Sequence, residues 1–262
     1  MIYLGPEYAR LISKATSSHG SHWHALFMMN TKINAVFFDF MGTCLDWHSG
    51  TVQVFPPTIG DSEKSKLALE WRHDYFDANA ARLASKQPPE DIDITLHTTL
   101  DALLEKHPEY KDRFDKQTKD RCITAWHSMP AWPDVTLAIE KLKAAGYEVF
   151  VFANGTPRLQ LDLCKSSGLK FDMLFSSELL GVYKPAPESY RKTLDLVKVD
   201  PQAAVMVAAH AYDTRGAKEA GMKTVYIHRW TDDINEDMEI VKGENDFFLE
   251  DMMDLPVVIS QM

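Results

Sequence analysis

Apolar positions along the chain follow two different spacings. A short unbroken run, Ala35-Val36-Phe37-Phe38, has counterparts at Glu148 to Phe152, Met173 to Phe175, Ala203 to Val207 and Thr224 to Ile227. Runs this short, rich in Val and Phe and bounded by small or polar residues, predict strands covered on both faces. A last short strand is predicted at Asp246 to Leu249. Segments of helical spacing lie between them: one ending at Ala145, then Arg158 to Gly168, Glu188 to Val197 and Thr214 to Ala220. This alternation of strand and helix predicts an α/β chain with a doubly wound parallel sheet.

From Gly50 to about Pro130 the alternation stops. Apolar residues there recur every three or four positions across Leu67 to Leu83, Ile94 to Leu104 and Tyr110 to Trp126, which predicts a helical block inserted between the first two strands. Pro88-Pro89 and Pro108 divide it into separate helices. The predicted organisation is a sheet core of residues 34–48 and 131–262 carrying a helical insertion of residues 49–130. Residues 1–33 hold Ser and His clusters and few core formers, and are expected to form a flexible extension. Nothing near His19, His22 and His24 completes a metal site.

Composition excludes several function classes. A net charge of -10 and a pI near 5.4 argue against nucleic acid as a partner. No apolar run approaches the roughly 20 residues of a membrane-spanning helix, so no membrane partner is expected. Cys44, Cys122 and Cys164 are few, odd in number and far apart. They form neither a disulfide framework nor a metal-ligand pattern, and a reducing cytoplasm is the expected location.

Candidate chemistry sits where the predicted strands end. The first run stops at Asp39-Phe40-Met41-Gly42-Thr43, placing a carboxylate at the C-terminal tip of a buried strand, where open α/β sheets bind ligands. A carboxylate there can act as a nucleophile, splitting one hard hydrolysis into two displacements. The second run leads into Ala153-Asn154-Gly155-Thr156-Pro157. A proline-stiffened loop, Tyr183-Lys184-Pro185-Ala186-Pro187, follows, and a later run ends in Ala208-Ala209-His210-Ala211-Tyr212-Asp213. Parallel strands would bring Asp39, Asn154, Lys184 and Asp213 to one edge.

That ordered set resembles the haloacid dehalogenase superfamily, and within it the L-2-haloacid dehalogenases. Asp39 with Gly42-Thr43 is similar to the first motif, Asn154-Gly155-Thr156 to the second, Lys184-Pro185 to the third and Asp213 to the fourth. The contexts Leu45-Asp46-Trp47-His48-Ser49 and Trp71-Arg72 also resemble the dehalogenase branch, and the likeness runs from about Asn34 to Leu255. It implies a Rossmann-like core, a helical cap over the catalytic edge and a homodimer.

It also implies roles. Asp39 would be the nucleophile, Lys184 would keep it ionised and oriented, and Thr43 would hydrogen-bond its carboxylate. Asp213 would hold Lys184 or the hydrolytic water. Arg72 and Asn154 would meet the departing halide, with Phe40, Met41 and Ala153 beside the substrate. Tyr190 matches an active-site tyrosine of the branch, or is a core tyrosine with a satisfied hydroxyl. His210 stands where the branch commonly has asparagine. It either helps activate the water that opens the ester or only caps the following helix.

Phosphatase members of the superfamily use an aspartate two residues after the nucleophile as a proton donor and a fourth-motif carboxylate to hold Mg²⁺. Met41 and Ala209 occupy those positions here. Losing a general acid alone costs on the order of 10² to 10⁴ in rate, so phosphoryl transfer is disfavoured. Halide departs without a proton, and a 2-haloacid has no phosphate for a metal to neutralise. The expectation is therefore a dehalogenase of small 2-haloalkanoic acids that uses no metal or other cofactor and takes a small-molecule carboxylate as its partner. The alternative keeps the aspartyl ester but acts on a bulkier, non-halogenated carboxylate. Ala153 and Ala208 replace serines of the branch and weaken the hydrogen bonding expected around substrate and lysine.

Overall fold

A computed structural model describes residues 32–262, residue 89 excepted. The extension expected at residues 1–33 lies almost wholly outside the described residues, and Ile33 at its end is buried in the core. The described residues form a six-stranded parallel sheet in the order β3-β2-β1-β4-β5-β6. Its strands are β1 (Ala35–Phe38), β2 (Glu148–Ala153), β3 (Met173–Ser176), β4 (Ala204–Ala208), β5 (Lys223–Ile227) and β6 (Phe247–Leu249). The chain winds one way through β2 and β3 and the other way through β4 to β6. The crevice of such a sheet opens beside β1, where the winding reverses.

Period-two alternation divides the core by face. Val36 and Phe38 pack with Val151 and Val207 against Val135, Ile139 and Leu142 of α6 (Val135–Ala144). Phe37 joins Phe150, Phe152 and Met206 on the other face, under Tyr190 and Leu194 of α9 (Pro187–Val197). All four β1 side chains are 0% exposed, so the strand that carries Asp39 has no solvent face to slip toward. α7 (Pro157–Ser167) and α10 (Ala211–Glu219) follow β2 and β4.

Between β1 and α6 the chain is helical: α1 (Trp47–Val52), α2 (Asp61–Ala84), α3 (Ile92–Lys106), α4 (Pro108–Lys111) and α5 (Lys116–Ala125). Trp47, Trp71 and Trp126 are buried together at its centre, and Trp71 Nε1 donates to Thr99 Oγ1 of α3 at 3.0 Å. The outgoing and returning connections run side by side, with Leu45 bridged to Ala131 and Trp132 N donating to Cys44 O at 3.0 Å.

Three expected boundaries move. The segment Tyr110 to Trp126 is two helices, because Asp115 caps a new one by accepting from Thr118 N at 2.8 Å. α2 starts at Asp61, six polar residues before the apolar spacing begins. α10 starts at Ala211 and not Thr214, since the Asp233 carboxylate, from a loop far along the chain, accepts from Ala211 N. No helix among the described residues is long and apolar enough to cross a membrane.

Candidate active site

Asp39 begins where β1 stops. Its N–H still donates to Val207 O at 3.0 Å, and the chain then turns sharply, with Cys44 N and Leu45 N both donating to Phe40 O. Gly42 makes the turn at φ +84, and a Cβ there would lie 2.6 Å from Asp232 Oδ1. Glycine is needed on both counts. Thr43 Oγ1 donates to Asp39 Oδ2 at 2.8 Å and accepts from Ala209 N at 2.8 Å, tying the tips of β1 and β4 together.

Lys184 reaches the same point from the loop before α9. Its Nζ donates to Asp39 Oδ1 at 2.9 Å and Phe152 O at 2.7 Å, and it pairs tightly with Asp213 Oδ2. Asn154 fixes that loop: its Oδ1 accepts from Lys184 N at 2.9 Å and its Nδ2 donates to Lys184 O at 3.0 Å. Asp213, in the first turn of α10, receives Tyr190 OH on its other oxygen at 2.7 Å.

His210 caps nothing with its side chain. Its Nδ1 lies 2.9 Å from Asp39 Oδ2 and its Nε2 lies 3.1 Å from Asp232 Oδ1. Asp232 in turn accepts from Trp47 Nε1 at 3.1 Å and Thr231 Oγ1 at 2.7 Å. Both oxygens of Asp39 are thus held, one by Lys184 and the other by Thr43 and His210.

These contacts set the ionisation. Burial alone would raise the Asp39 pKa, but the Lys184 charge and the His210 hydrogen bond and charge hold it well below the ordinary 3.8. Burial would lower His210, yet its hydrogen bonds to Asp232 and Asp39 outweigh that and push it up to about 10. Burial would lower Lys184 too; the charges of Asp213 and Asp39 raise it instead. Asp213 is raised, mainly by burial and despite Lys184. The resting site is a carboxylate clasped by two cations.

Arg72 hangs over this cluster from α2. It is 5% exposed, and its guanidinium lies among the rings of Phe76, Trp126, Trp47 and Tyr75, 4.5 to 5.7 Å from their centroids. Asp232 is 3.9 Å from its Nη2, but Nε and Nη1 are buried without a hydrogen-bond partner among the described residues. Buried unmatched donors on a cation are rare in folded proteins and call for a reason. A cavity of about 360 Å³ lies beneath, lined by Asp39, Met41, Arg72, Ala153, Asn154 and His210 among others.

The structure gathers most of the predicted residues and separates a few. Phe40 is not on the cavity: it is buried with its ring edge-on to Phe171. Tyr190 is likewise fully buried behind Asp213, so the core-tyrosine alternative describes it. Asp213 has both oxygens engaged and does not line the cavity. Asn154 lines it but spends its carbonyl and one N–H on the Lys184 backbone. Asp232 was missed. Its only sequence signal is an acidic pair, Asp232-Asp233, in the loop after β5.

Mg²⁺ does not fit this donor set. A hard cation wants several free oxygens, whereas those of Asp39 and Asp213 face ammonium, imidazole and hydroxyl donors. Ala209 offers no carboxylate, and no group of three His, Cys, Asp or Glu suited to a metal occurs among the described residues.

A family model described as haloacid dehalogenase-like hydrolase matches residues 33–221. The chain belongs to that family. This hydrolase is 32% identical over 203 residues to (S)-2-haloacid dehalogenase 4A of Burkholderia cepacia, covering 77% of this chain and 85% of that one. Pyrophosphatase PpaX of Bacillus anthracis is 27% identical over 239 residues, covering 88% and 98% of the two chains. Among solved structures, an L-2-haloacid dehalogenase superposes with a TM-score of 0.75 at 29% identity, covering 88% of this chain and all of its own.

Proposed function

We propose that this hydrolase removes halide from 2-haloalkanoic acids through an ester on Asp39, with inversion at C2 and without a metal. The observation that carries it is the paired arrangement of a buried carboxylate, its two oxygens held by Lys184 and His210, and an under-bonded buried Arg72 across the same cavity. In the first step an Asp39 oxygen attacks C2 and the carbon–halogen bond breaks with both electrons going to halide. The Arg72 guanidinium, in its aromatic cage, would receive that anion. The substrate carboxylate would lie toward the turn Ala153-Asn154-Gly155-Thr156, which lines the cavity ahead of α7. Water then adds to the Asp39 Cγ, and the ester opens to the 2-hydroxy acid and the free carboxylate. The turnover releases one halide and one proton.

Pyrophosphate hydrolysis, the activity in the name of one relative, has less support. Met41 is no proton donor, and the oxygens a divalent ion would need are taken. The cavity size favours a second reading in substrate only. At about 360 Å³ it falls within the roughly 300–1,000 Å³ typical of sites for drug-sized ligands, which suits a carboxylate bulkier than a three-carbon acid. The deciding experiment incubates the chain with each enantiomer of 2-chloropropionate in EDTA and measures chloride. Release from the (S) enantiomer alone is expected. Release from neither, with Mg²⁺-dependent phosphate release from pyrophosphate, would overturn the assignment.

A further inference from the structure

We infer that His210 and Asp232 form the base that drives ester hydrolysis, His210 taking the proton of the attacking water and Asp232 fixing the ring that takes it. The inference rests on the aspartyl-ester chemistry proposed above and assigns its second half. Three observations carry it. His210 bridges the two carboxylates through opposite ring nitrogens, at 2.9 Å to Asp39 and 3.1 Å to Asp232. Asp213, the other acid near Lys184, has a donor on each oxygen and does not line the cavity, whereas His210 does. Asp232 sits in a built pocket: 5% exposed, pressed over Gly42, and bonded by Trp47 and Thr231.

Charge explains how one histidine can be inert in the first step and basic in the second. In the resting enzyme His210 lies between two carboxylates and carries a proton on each nitrogen. The other charged or titratable groups around it are Arg72 and His73 from α2, Tyr212 on α10, and Asp233 and Glu236 from the loop that carries Asp232. Alkylation converts Asp39 to a neutral ester. Half of the negative charge that held the imidazolium disappears, and the Nδ1 proton is lost to solvent. Asp232 keeps the Nε2 proton, which leaves the Nδ1 lone pair facing the Asp39 carboxyl group.

The proton count then closes. Water adds to Cγ while giving a proton to Nδ1. His210 returns that proton to the departing alkoxide as the C–O bond of the ester breaks. The new Asp39 carboxyl loses its proton to Nδ1, restoring carboxylate and imidazolium. The single proton shed after alkylation is the one that the overall reaction releases. His210 touches the reacting atoms and is catalytic; Asp232 acts through it and is a positioning residue.

Rapid-quench kinetics with (S)-2-chloropropionate separate the two steps. Wild type, His210→Gln and Asp232→Asn are mixed with substrate, and chloride and the intact mass of the protein are followed together. Both variants are expected to release one equivalent of chloride in a burst and to accumulate protein heavier by one carboxyethyl group on Asp39. The decay of that ester should slow by about 10² to 10⁴ in His210→Gln, with most of that loss in Asp232→Asn. The burst itself reports that each variant is folded and competent to alkylate. As a measurement on unaltered protein, ester decay in wild type should slow in deuterium oxide while alkylation does not. Variants that turn over like wild type without an adduct would overturn the dyad while leaving the dehalogenase assignment intact. A variant lacking the burst, together with no isotope effect on wild-type ester decay, would overturn the dyad as well. Wild type that releases no chloride would instead overturn the assignment on which it rests.

Discussion

Replacing Lys184 with methionine, close in length and uncharged, probes the cluster where its energies are largest. The ammonium holds Asp39 Oδ1 at 2.9 Å, Phe152 O at 2.7 Å and the Asp213 carboxylate, and it is 3% exposed. Removing one partner of a buried pair costs about 3–5 kcal/mol, because a buried charge is left behind. Coulombic attraction at about 3 Å and an effective dielectric near 20 is roughly 5 kcal/mol per pair before desolvation is returned, so the range is of the right size. For a chain this long the melting point should fall by about 6–20 °C.

The loss should depend on pH in a definite direction. Burial already raises Asp213 above the ordinary 3.8, and losing Lys184 raises it further. An acid whose folded pKa is raised weakens the fold once pH exceeds its unfolded value, increasingly so up to the folded pKa. Asp213→Asn on the Lys184→Met background should therefore recover much of the deficit at about pH 8 and little at about pH 5. Asp39 should stay ionised at neutral pH even so, since Thr43 and His210 remain on it. Its slowed alkylation would reflect lost orientation. Urea melts of wild type, Lys184→Met and the double variant at both pH values measure all of this. A single-variant deficit under about 1 kcal/mol at both pH values, the level of an exposed ion pair, would refute the reasoning.

Other outcomes follow from the same geometry. Asp39→Asn should fold and melt cooperatively yet release no chloride. Arg72→Leu removes buried N–H groups that have no partner, so stability should hold or rise while kcat/KM falls by about 10² to 10³, as for loss of one preorganised donor. Gly42→Ala meets both the positive φ and the Asp232 carboxylate; about 1–3 kcal/mol of strain should appear in urea melts, with ester decay slowed more than alkylation. His210, raised from 6.5 to about 10, contributes stability that is fully present below its unfolded value and lost as pH rises through the folded one. The lead of wild type over His210→Asn in urea midpoint should therefore narrow as pH climbs from neutral toward about 10.

Sequence patterns revealed the parts of the fold that repeat locally. β1 and β4 are unbroken apolar runs and the other strands have apolar centres, and Asp39, Asn154, Lys184 and Asp213 follow strand tips or the loop beside them, so parallel alternation brought them to one edge. What stayed hidden depends on groups far apart in the chain. α10 begins at Ala211 only because the Asp233 side chain arrives from beyond β5 to cap it, and no signal next to Ala211 announces that. Asp232 is an ordinary loop aspartate in the sequence; its partner His210 lies 22 residues earlier. Its fit over Gly42 depends on how two loops meet. Phe40 adjoins Asp39 in sequence but turns into the core, because chain neighbours at a strand tip point in different directions; Tyr190, further along from Lys184, is buried against Asp213.

The central claim is that an Asp39 oxygen bonds transiently to carbon. A single turnover in heavy-oxygen water, with enzyme in excess over (S)-2-chloropropionate, tests it directly. The heavy label should appear in the peptide that carries Asp39, while the first 2-hydroxypropionate formed carries ordinary oxygen donated by the carboxylate. Label in that first product, with Asp39 unlabelled, would mean that water attacks C2 itself and would contradict the account.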